Sequence, residues 1–275
     1  MTLLQAIFLA ILQGVTELFP ISSLGHAVIV PRLLHWNIDQ SAEGFLPFLA
    51  VMHLGTALAL LGFFWRDWWR FGWGVLRFAD PAGAADRRLF WRVVVATIPA
   101  VIIGGLFEKI LRQGFGAPIL AAAFLIVNGV MLFAVERLRR PARRPLDDLR
   151  WRDAVLIGLW QCLAFIPGMS RSGATMAGGY LTGLDHEDAA RFSFLTATPI
   201  ILGGVALEGP KLLHHHTAFG GPAIVAGVVA GVTALISVWA LMRWFALREV
   251  KGFIPFAVYC WVAGLGALAL LTLKF

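Results

Sequence analysis

Long apolar segments separated by short basic loops are the feature that most restricts how this 275-residue chain can fold. A helix needs about 20 largely apolar residues to cross a bilayer. Six segments reach or approach that length: 46–65, 93–109, 117–135, 192–208, 222–242 and 253–273. Hydrophobic residues make up 59% of the chain and charged residues only 14%, which excludes an ordinary soluble protein. We therefore predict an all-α polytopic membrane protein that forms a single membrane domain over residues 1–275.

Three of the loops between these segments are rich in arginine and lysine. The segment 66–92 holds six arginines against three aspartates, and 136–153 holds seven arginines against four acidic residues. The loop 243–251 holds three basic residues against one glutamate. Cytoplasmic loops carry such an excess of positive charge, so we predict that these three loops face the cytoplasm and contact membrane lipids. The net charge of +7 then requires no nucleic acid as a partner.

Two further apolar stretches, 1–36 and 154–184, are interrupted by polar turns. Each has the pattern of a helix, a turn and a short helix, which is typical of a re-entrant hairpin. If the three basic loops are cytoplasmic, the second hairpin begins and ends on the cytoplasmic side and the first begins and ends outside. Each half, roughly 1–140 and 150–275, is then a re-entrant helix hairpin plus three transmembrane helices. Because the halves have opposite orientation, they form an inverted-topology repeat, which tends to place the functional site near the midplane.

The turn of the second hairpin lies in the sequence Pro167-Gly-Met-Ser-Arg-Ser-Gly-Ala-Thr175. It places one cation, Arg171, beside the hydroxyl groups of Ser170, Ser172 and Thr175. An arginine at membrane depth marks a functional site by default. Its planar fork of donors suits a phosphate or a carboxylate. The alternative is a tight surface loop with a solvated arginine.

The first hairpin carries a second group of polar residues. Gln13 and Glu17 are four residues apart and therefore share one face of a helix. Ser22, Ser23 and His26 follow in the turn. A buried carboxylate needs a partner, and the candidates are the arginine of the second hairpin, His26 or a bound cation. The alternatives are a helix-end carboxylate in the membrane interface and a histidine satisfied by its surroundings.

An inverted repeat would bring the two turns together into one phosphate site. Arg171 would hold the phosphoryl oxygens and stabilise charge in the transition state. Ser23 could attack, with His26 as the base or as the acid to the leaving group. Glu17 with Gln13 could hold a divalent cation, Mg²⁺ or Ca²⁺, because oxygen ligands suit both ions. The remaining hydroxyl groups of the turns would bind phosphate: Ser22, Ser170, Ser172 and Thr175. A phosphate site inside a membrane implies a lipid-linked substrate.

The two turn sequences resemble the signature motifs of a known enzyme family. Gln13-Gly-Val-Thr-Glu-Leu-Phe-Pro-Ile-Ser-Ser-Leu-Gly-His26 and the turn sequence 167–175 are similar to motifs of the undecaprenyl-pyrophosphate phosphatase family linked to bacitracin resistance. The segments 192–195 and 252–256 extend the resemblance along the chain. The resemblance implies hydrolysis of undecaprenyl pyrophosphate to the monophosphate at the outer face of the bacterial inner membrane. That reaction recycles the carrier lipid for peptidoglycan synthesis, and the resemblance also implies a divalent-cation requirement.

The resemblance assigns expected roles to individual residues. Gln13 and Glu17 match the acidic pair of the family, with a glutamine at the first position, so that one carboxylate fewer is present for a metal site. Ser23 and His26 match the proposed nucleophile and acid/base positions. Residues of the phosphate-binding loop are matched by Ser170, Arg171 and Thr175. His53 stands where many members have an amide, and it is either an added polar group near the site or a histidine satisfied in the core.

Several questions stay open at the level of sequence. A transporter or flippase for a polyprenyl phosphate is the rival function, since inverted repeats with broken helices are common in transporters. The attacking group is Ser23, His26 or water. The run His214–His216 is either a metal-binding tract or a solvated loop segment. Gly227 and Gly231 form a small-xxx-small pair that could pack helices within the chain or form a homodimer.

Overall fold

The described part of this computed structural model, residues 1–38, 44–114, 116–138, 144–214, 220–247 and 251–273, consists of helices joined by turns and contains no strand. Its α-helices, in chain order, are α1 (Leu3–Thr16), α2 (Ser23–Leu33), α3 (Phe45–Phe63), α4 (Trp65–Leu76), α5 (Ala84–Gly114), α6 (Pro118–Arg137), α7 (Trp151–Gln161), α8 (Arg171–Leu181), α9 (His186–His214), α10 (Gly220–Leu247) and α11 (Ile254–Thr272). The prediction of an all-α fold is confirmed. His215 and His216 lie outside the described residues, and the role of the run His214–His216 stays open.

Of the described helices, α3, α5, α6, α9, α10 and α11 are long and apolar enough to cross a membrane. They cover the six predicted segments, which confirms a polytopic membrane protein. The helices α1, α2, α7 and α8 have 14, 11, 11 and 11 residues, which is too short to span a bilayer. α1 packs against α2, and α7 packs against α8, as expected for the predicted hairpins 1–36 and 154–184.

The segment 66–92, predicted as a loop, is mostly helical, because it contains α4, a 3₁₀ turn and the start of α5. Helix α4 is amphipathic. Its buried residues are Phe71 and Gly74. Its exposed side carries tryptophans four residues apart: Trp65, Trp69 and Trp73. The loop prediction was wrong because the arginines suggested a polar break, although the aromatic residues between them recur with the helical period. Exposed tryptophans suit the interface between membrane and water.

The arginine-rich segments meet at one end of the helix bundle. Contacts between their charged residues join Arg191 to Asp67, Arg92 to the carbonyl oxygen of Asp147, and Arg144 to Asp153. The second and third of these distances are 2.9 and 2.7 Å. The segments 66–92 and 136–153 therefore lie on the same side of the bundle, as the charge pattern predicts.

One helix of each hairpin packs against a helix of the other half of the chain. α1 of the first half packs against α10 of the second, and α7 of the second half packs against α5 of the first. The pairs α3 with α9 and α6 with α11 join equivalent helices of the two halves. A two-fold relation between the halves would give this pattern. The inverted-topology repeat, with its division at 1–140 and 150–275, stays a prediction that the packing favours.

Close approach of α3 and α10 depends on glycine. A Cβ atom at Gly55 would lie 2.0 Å from the carbonyl oxygen of Gly227, and one at Gly231 would lie 3.0 Å from the carbonyl oxygen of Gly55. The pair Gly227 and Gly231 therefore packs two helices of the same chain. This contact accounts for the pair without a second subunit, and the homodimer stays a prediction.

We expect Gly55→Ala to lower the free energy of unfolding by about 1–3 kcal/mol, the usual effect of inserting a methyl group into a packed interface. Gly62 is the matched control, since it lies in the same helix and a Cβ there would meet nothing within 4 Å. Gly62→Ala should leave the stability unchanged or raise it slightly. Thermal unfolding of the detergent-solubilised variants measures the difference. Equal melting temperatures for the two variants would contradict the α3–α10 packing described above.

Candidate active site

The turn of the first hairpin is held in a strained conformation. Ser22 precedes α2 with a φ of 69°, a left-handed value that is uncommon for residues other than glycine. Its Oγ accepts a hydrogen bond from the backbone N–H of Gly25 at 3.2 Å, which caps the helix. The result is a turn that points the start of α2, including Ser23, towards the end of α1.

The turn of the second hairpin has the same capping pattern. Ser170 precedes α8, and its Oγ accepts from the backbone N–H of Gly173 at 3.1 Å. Gly168 has a φ of 97°, and a Cβ there would lie 2.2 Å from the carbonyl oxygen of Ala121, so only glycine fits. A Cβ on Gly25 would lie 3.2 Å from the Cα of Gly168. The two hairpin turns are therefore in direct contact, as predicted.

Asn128 of α6 bridges the two turns. Its Oδ1 accepts from the backbone N–H of Ser170 at 3.0 Å, and its Nδ2 donates to the carbonyl oxygen of Pro20 at 2.9 Å. Ser172 adds a second bridge, because its Oγ donates to the carbonyl oxygen of Phe19 at 3.1 Å. Sequence reasoning missed Asn128. The only signal was a lone amide within the apolar segment 118–135.

We expect Asn128→Leu to reduce kcat/KM for the hydrolysis that the family resemblance implies by about 10- to 100-fold. The variant removes the hydrogen bonds to the N–H of Ser170 and to the carbonyl oxygen of Pro20, and losing the partner of a buried polar group costs about 1–3 kcal/mol. Asn128→Asp keeps an acceptor for Ser170 but directs an oxygen at the Pro20 carbonyl, so it should also be impaired. Steady-state kinetics and thermal unfolding should be measured together. A folded Asn128→Leu variant with wild-type kinetics would show that the bridge does not position the turns for catalysis.

Glu17 is the centre of the polar group at the turns. Its Oε1 accepts from Arg171 Nη2 at 2.6 Å. Its Oε2 accepts from Ser23 Oγ at 2.5 Å and from Gln13 Nε2 at 3.2 Å, and lies 3.3 Å from His53 Nε2. Of the three partners predicted for this carboxylate, the structure therefore provides the arginine, which is 154 residues away in the chain. The adjacent arginine and the hydrogen-bond donors around it stabilise this buried carboxylate.

A cavity of about 360 Å³ opens onto this group. The polar residues that line the cavity include Glu17, Ser22, Ser23, His53, Gln161, Ser170, Arg171 and Glu208. Apolar residues of its walls include Leu46, Leu49, Phe165, Met169 and Ile201. A ligand with an anionic head group beside Arg171 and a hydrocarbon chain along the apolar walls would fit this lining.

Four of the predicted site residues do not line the cavity: Gln13, His26, Ser172 and Thr175. Gln13 donates to Glu17, as described above. Thr175 Oγ1 donates to the carbonyl oxygen of Arg171 at 2.7 Å, and Ser172 makes the bridge to Phe19 described above. The ring of His26 is buried, with Nδ1 2.7 Å from the Ser22 carbonyl oxygen and Nε2 2.8 Å from the hydroxyl of Tyr259. Both ring nitrogens are thus occupied away from Ser23. The predicted acid/base role of His26 stays a prediction, and Tyr259 is a contact that the sequence did not indicate.

His53 does line the cavity, which decides between the two alternatives for this residue. Its side chain is 27% exposed, compared with 6% for that of Glu17. Nδ1 lies 2.8 Å from the carbonyl oxygen of Leu49, four residues earlier in α3, and this contact fixes the ring so that Nε2 faces the carboxylate. His53 therefore belongs to the polar group of the site and is not an isolated core histidine.

Some buried polar atoms of cavity-lining residues have no hydrogen-bond partner among the described residues. They include Nη1 of Arg171 and Oε1 of Gln161. Buried polar atoms are almost always paired in proteins, so an unpaired donor at a cavity points to a ligand. Arg171 can keep one nitrogen on Glu17 and direct the other at a phosphate oxygen. Gln161 lines the same cavity, and sequence reasoning did not assign it.

The cation site predicted at Gln13 and Glu17 stays a prediction. Each oxygen of Glu17 faces a hydrogen-bond donor, and Gln13 directs its NH₂ group at the carboxylate. No group of three His, Cys, Asp or Glu residues in the described part of the chain could hold a metal ion. Oε1 of Gln13 is a buried oxygen with no hydrogen-bond partner among the described residues. Because Mg²⁺ is usually bound by one or two carboxylates together with phosphate oxygens of the substrate, Glu17 and this amide oxygen are the protein groups that would hold it.

Comparison with known proteins gives a consistent result over nearly the whole chain. The model of the family described as "Bacitracin resistance protein BacA" matches residues 6–266. The undecaprenyl-diphosphatase of Granulibacter bethesdensis is 52% identical over 285 residues, covering 98% of this chain and 97% of that protein. The undecaprenyl-diphosphatase of Acidiphilium cryptum is 52% identical over 284 residues, covering 100% and 99%. Undecaprenyl-diphosphatase 2 of Chromobacterium violaceum is 43% identical over 267 residues, covering 96% and 97%.

Proposed function

This chain belongs to the bacitracin resistance protein BacA family, and we propose that it hydrolyses undecaprenyl pyrophosphate to undecaprenyl phosphate and inorganic phosphate. The observation that carries this function is the contact between Glu17 and Arg171 at a cavity whose walls are mostly apolar. The names of its relatives indicate the same activity. The reaction recycles the carrier lipid for peptidoglycan synthesis, and bacitracin resistance is a property of the family.

The residues of the polar group have separate roles in this reaction. Nη1 of Arg171 donates to an oxygen of the terminal phosphate and stabilises the charge that develops there. An oxygen atom, that of Ser23 or of a water molecule, attacks the terminal phosphorus. Glu17 Oε2, 2.5 Å from Ser23 Oγ, accepts the proton of the attacking group. The bond from the terminal phosphorus to the bridging oxygen breaks, and undecaprenyl phosphate leaves. Attack by water gives inorganic phosphate directly. Attack by Ser23 gives a phosphoserine, which a water molecule then hydrolyses to inorganic phosphate and the free serine.

The shape of the cavity supports a lipid-linked diphosphate as the substrate. A soluble phosphate ester would leave the apolar walls formed by Leu46, Leu49, Phe165 and Ile201 in contact with water. A polyprenyl chain would cover them, with a gain of about 25 cal/mol for each Å² of apolar surface removed from water. The head group would then lie at the turns.

The position of the cavity supports an active site that faces the periplasm or the cell exterior. The first turns of α3, from Leu46 to His53, and the last turns of α9, from Ile200 to Glu208, line the cavity. The arginine-rich segments lie at the opposite ends of these helices. Because arginine-rich loops remain in the cytoplasm, we assign the protein to the bacterial inner membrane with its cavity towards the outer face.

Purified protein in detergent, supplied with undecaprenyl pyrophosphate, tests the proposal through phosphate release and identification of the lipid product. The rival function, a transporter or flippase, predicts movement of polyprenyl phosphate across reconstituted vesicles without phosphate release. The hydrogen bond from Ser23 to Glu17 favours the enzyme, because binding alone would not require an activated hydroxyl group. Lipid movement without phosphate release would contradict the phosphatase.

A further inference from the structure

The end of helix α7 places a buried amide in the wall of the cavity, and the reaction described above does not use it. Gln161 is the last residue of α7 and is 2% exposed. It lines the cavity together with Glu17 and Arg171. Its Oε1 has no hydrogen-bond partner among the residues that the structure describes. Because a buried acceptor without a partner is costly, this oxygen indicates a ligand that can donate a hydrogen bond.

The other half of this amide group determines which atom is left for the ligand. Nε2 of Gln161 donates to the carbonyl oxygen of Ala96 in α5, at a distance of 3.5 Å. The opposite orientation of the amide would direct Oε1 at that carbonyl oxygen, and two acceptors repel each other. The NH₂ group therefore contacts α5, and the oxygen is the atom that a ligand can reach.

Two atoms at the cavity that lack partners in the described part of the chain suit different reactants. Nη1 of Arg171 is a donor, and the ionised oxygens of a diphosphate accept hydrogen bonds, so the two are complementary. Oε1 of Gln161 is an acceptor, and those same oxygens would repel it. Water is the second reactant of a hydrolysis, and it has two hydrogen atoms to donate. Gln161 therefore suits the water molecule and not the diphosphate.

We propose that Gln161 binds the water molecule that attacks phosphorus, by accepting a hydrogen bond at Oε1. The inference rests on the proposed phosphatase function. As the bond between the water oxygen and phosphorus forms, Glu17 takes one proton of the water and Gln161 holds the other. The bond from phosphorus to the departing oxygen breaks, and the proton on Glu17 passes to that oxygen. The departing oxygen is the bridging oxygen of the lipid or, after attack by Ser23, the Oγ of that serine.

Methanol as a competing attacking group tests this assignment, because it has only one hydrogen atom to donate. When methanol attacks, that proton goes to Glu17 and none is left for Gln161. Attack by methanol forms methyl phosphate, whereas attack by water forms inorganic phosphate. The ratio of the two products therefore measures how strongly the site prefers water. Purified protein in detergent is supplied with undecaprenyl pyrophosphate and methanol, and phosphorus nuclear magnetic resonance measures both products.

The variant to compare with the wild-type protein is Gln161→Met. Methionine has a similar length and no strong acceptor, so it fills the space without holding the water. Gln5→Met is the matched control, because it makes the same chemical change in α1. The Oε1 of Gln5 accepts from the backbone N–H of Thr2 at 2.8 Å, and this residue does not line the cavity.

We expect Gln161→Met to form inorganic phosphate about 10-fold more slowly than the wild-type protein, and to form methyl phosphate at nearly the wild-type rate. The ratio of methyl phosphate to inorganic phosphate then rises about 10-fold, whereas Gln5→Met keeps the wild-type ratio. Both products come from the same active molecules, so a variant that folds poorly would lose both equally and leave the ratio unchanged.

An equal product ratio in Gln161→Met and the wild-type protein would overturn the proposal, even if the total rate falls, because it would show that the amide has only a structural role. The same holds if neither protein forms methyl phosphate. Failure of the proposed phosphatase function has a different result, since the wild-type protein would then form neither inorganic phosphate nor methyl phosphate.

Discussion

Arg171→Ala is expected to release phosphate from undecaprenyl pyrophosphate about 10³-fold more slowly than the wild-type protein, the usual effect of removing a group that stabilises transferring phosphoryl oxygens. Nη2 of Arg171 is held by Glu17 at 2.6 Å. Nη1 has no hydrogen-bond partner in the part of the chain that the structure describes, and the residue lines the cavity. The arginine can therefore contact the carboxylate and the phosphate together. Single-turnover kinetics of the purified variant measure the loss.

Arg171→Lys separates the charge of this residue from its shape. A lysine keeps the positive charge but offers one nitrogen, which cannot serve both Glu17 and the phosphate in the planar geometry of a guanidinium. We expect a loss of about 10- to 100-fold in kcat for this variant. The control is Arg70→Ala, which breaks an exposed ion pair with Asp86 and should leave the rate unchanged. Wild-type kinetics in Arg171→Lys would show that the fork of donors is not needed.

Glu17→Gln is expected to lower kcat by about 10³-fold, because it removes the general base and the negative charge that holds Arg171. The glutamine has nearly the same size, so the cavity keeps its shape. Its amide can still accept from Ser23, and the loss is therefore a loss of charge and basicity. Thermal unfolding should be measured alongside, since breaking a buried ion pair costs about 3–5 kcal/mol.

Glu187→Gln provides the comparison for this variant. Glu187 is an exposed carboxylate in the first turn of α9, at the end of the bundle that is remote from the cavity. The same chemical change there should leave phosphate release unaffected. If Glu17→Gln and Glu187→Gln had similar rates, the carboxylate at the turns would have no role in the reaction.

The contact between the two hairpins could be predicted because the sequence itself shows where charged residues occur and where helices are interrupted. Arg171 stands out as a cation within an apolar stretch, and glycine and proline around it show that the helix is interrupted. The parity of the arginine-rich loops then requires the two hairpins to enter from opposite sides. The contact between Glu17 and Arg171 follows from those two facts, although the residues are 154 positions apart.

The contacts that depend on helix rotation could not be predicted in this way. Asn128 is a single amide in an apolar helix, and nothing in the sequence shows that it faces both turns. The direction of His26 depends on Tyr259, which is 233 residues away. His53 could have faced lipid, core or cavity, since α3 is apolar on all sides and gives no preferred face. The packing between helices determines the orientation of all three side chains, and the periodicity of the sequence does not indicate it here.

A double-mutant cycle between Glu17 and Arg171 tests most directly whether the two hairpin turns form one active site. Phosphate release from undecaprenyl pyrophosphate is measured for the wild-type protein, Glu17→Gln, Arg171→Ala and the double variant. Residues that act as a unit are strongly non-additive, so we predict that the double variant is about as slow as the slower single variant, about 10³-fold below wild type. A double variant slower by the product of the two single effects, about 10⁶-fold, would show that the residues act independently and would contradict a shared site.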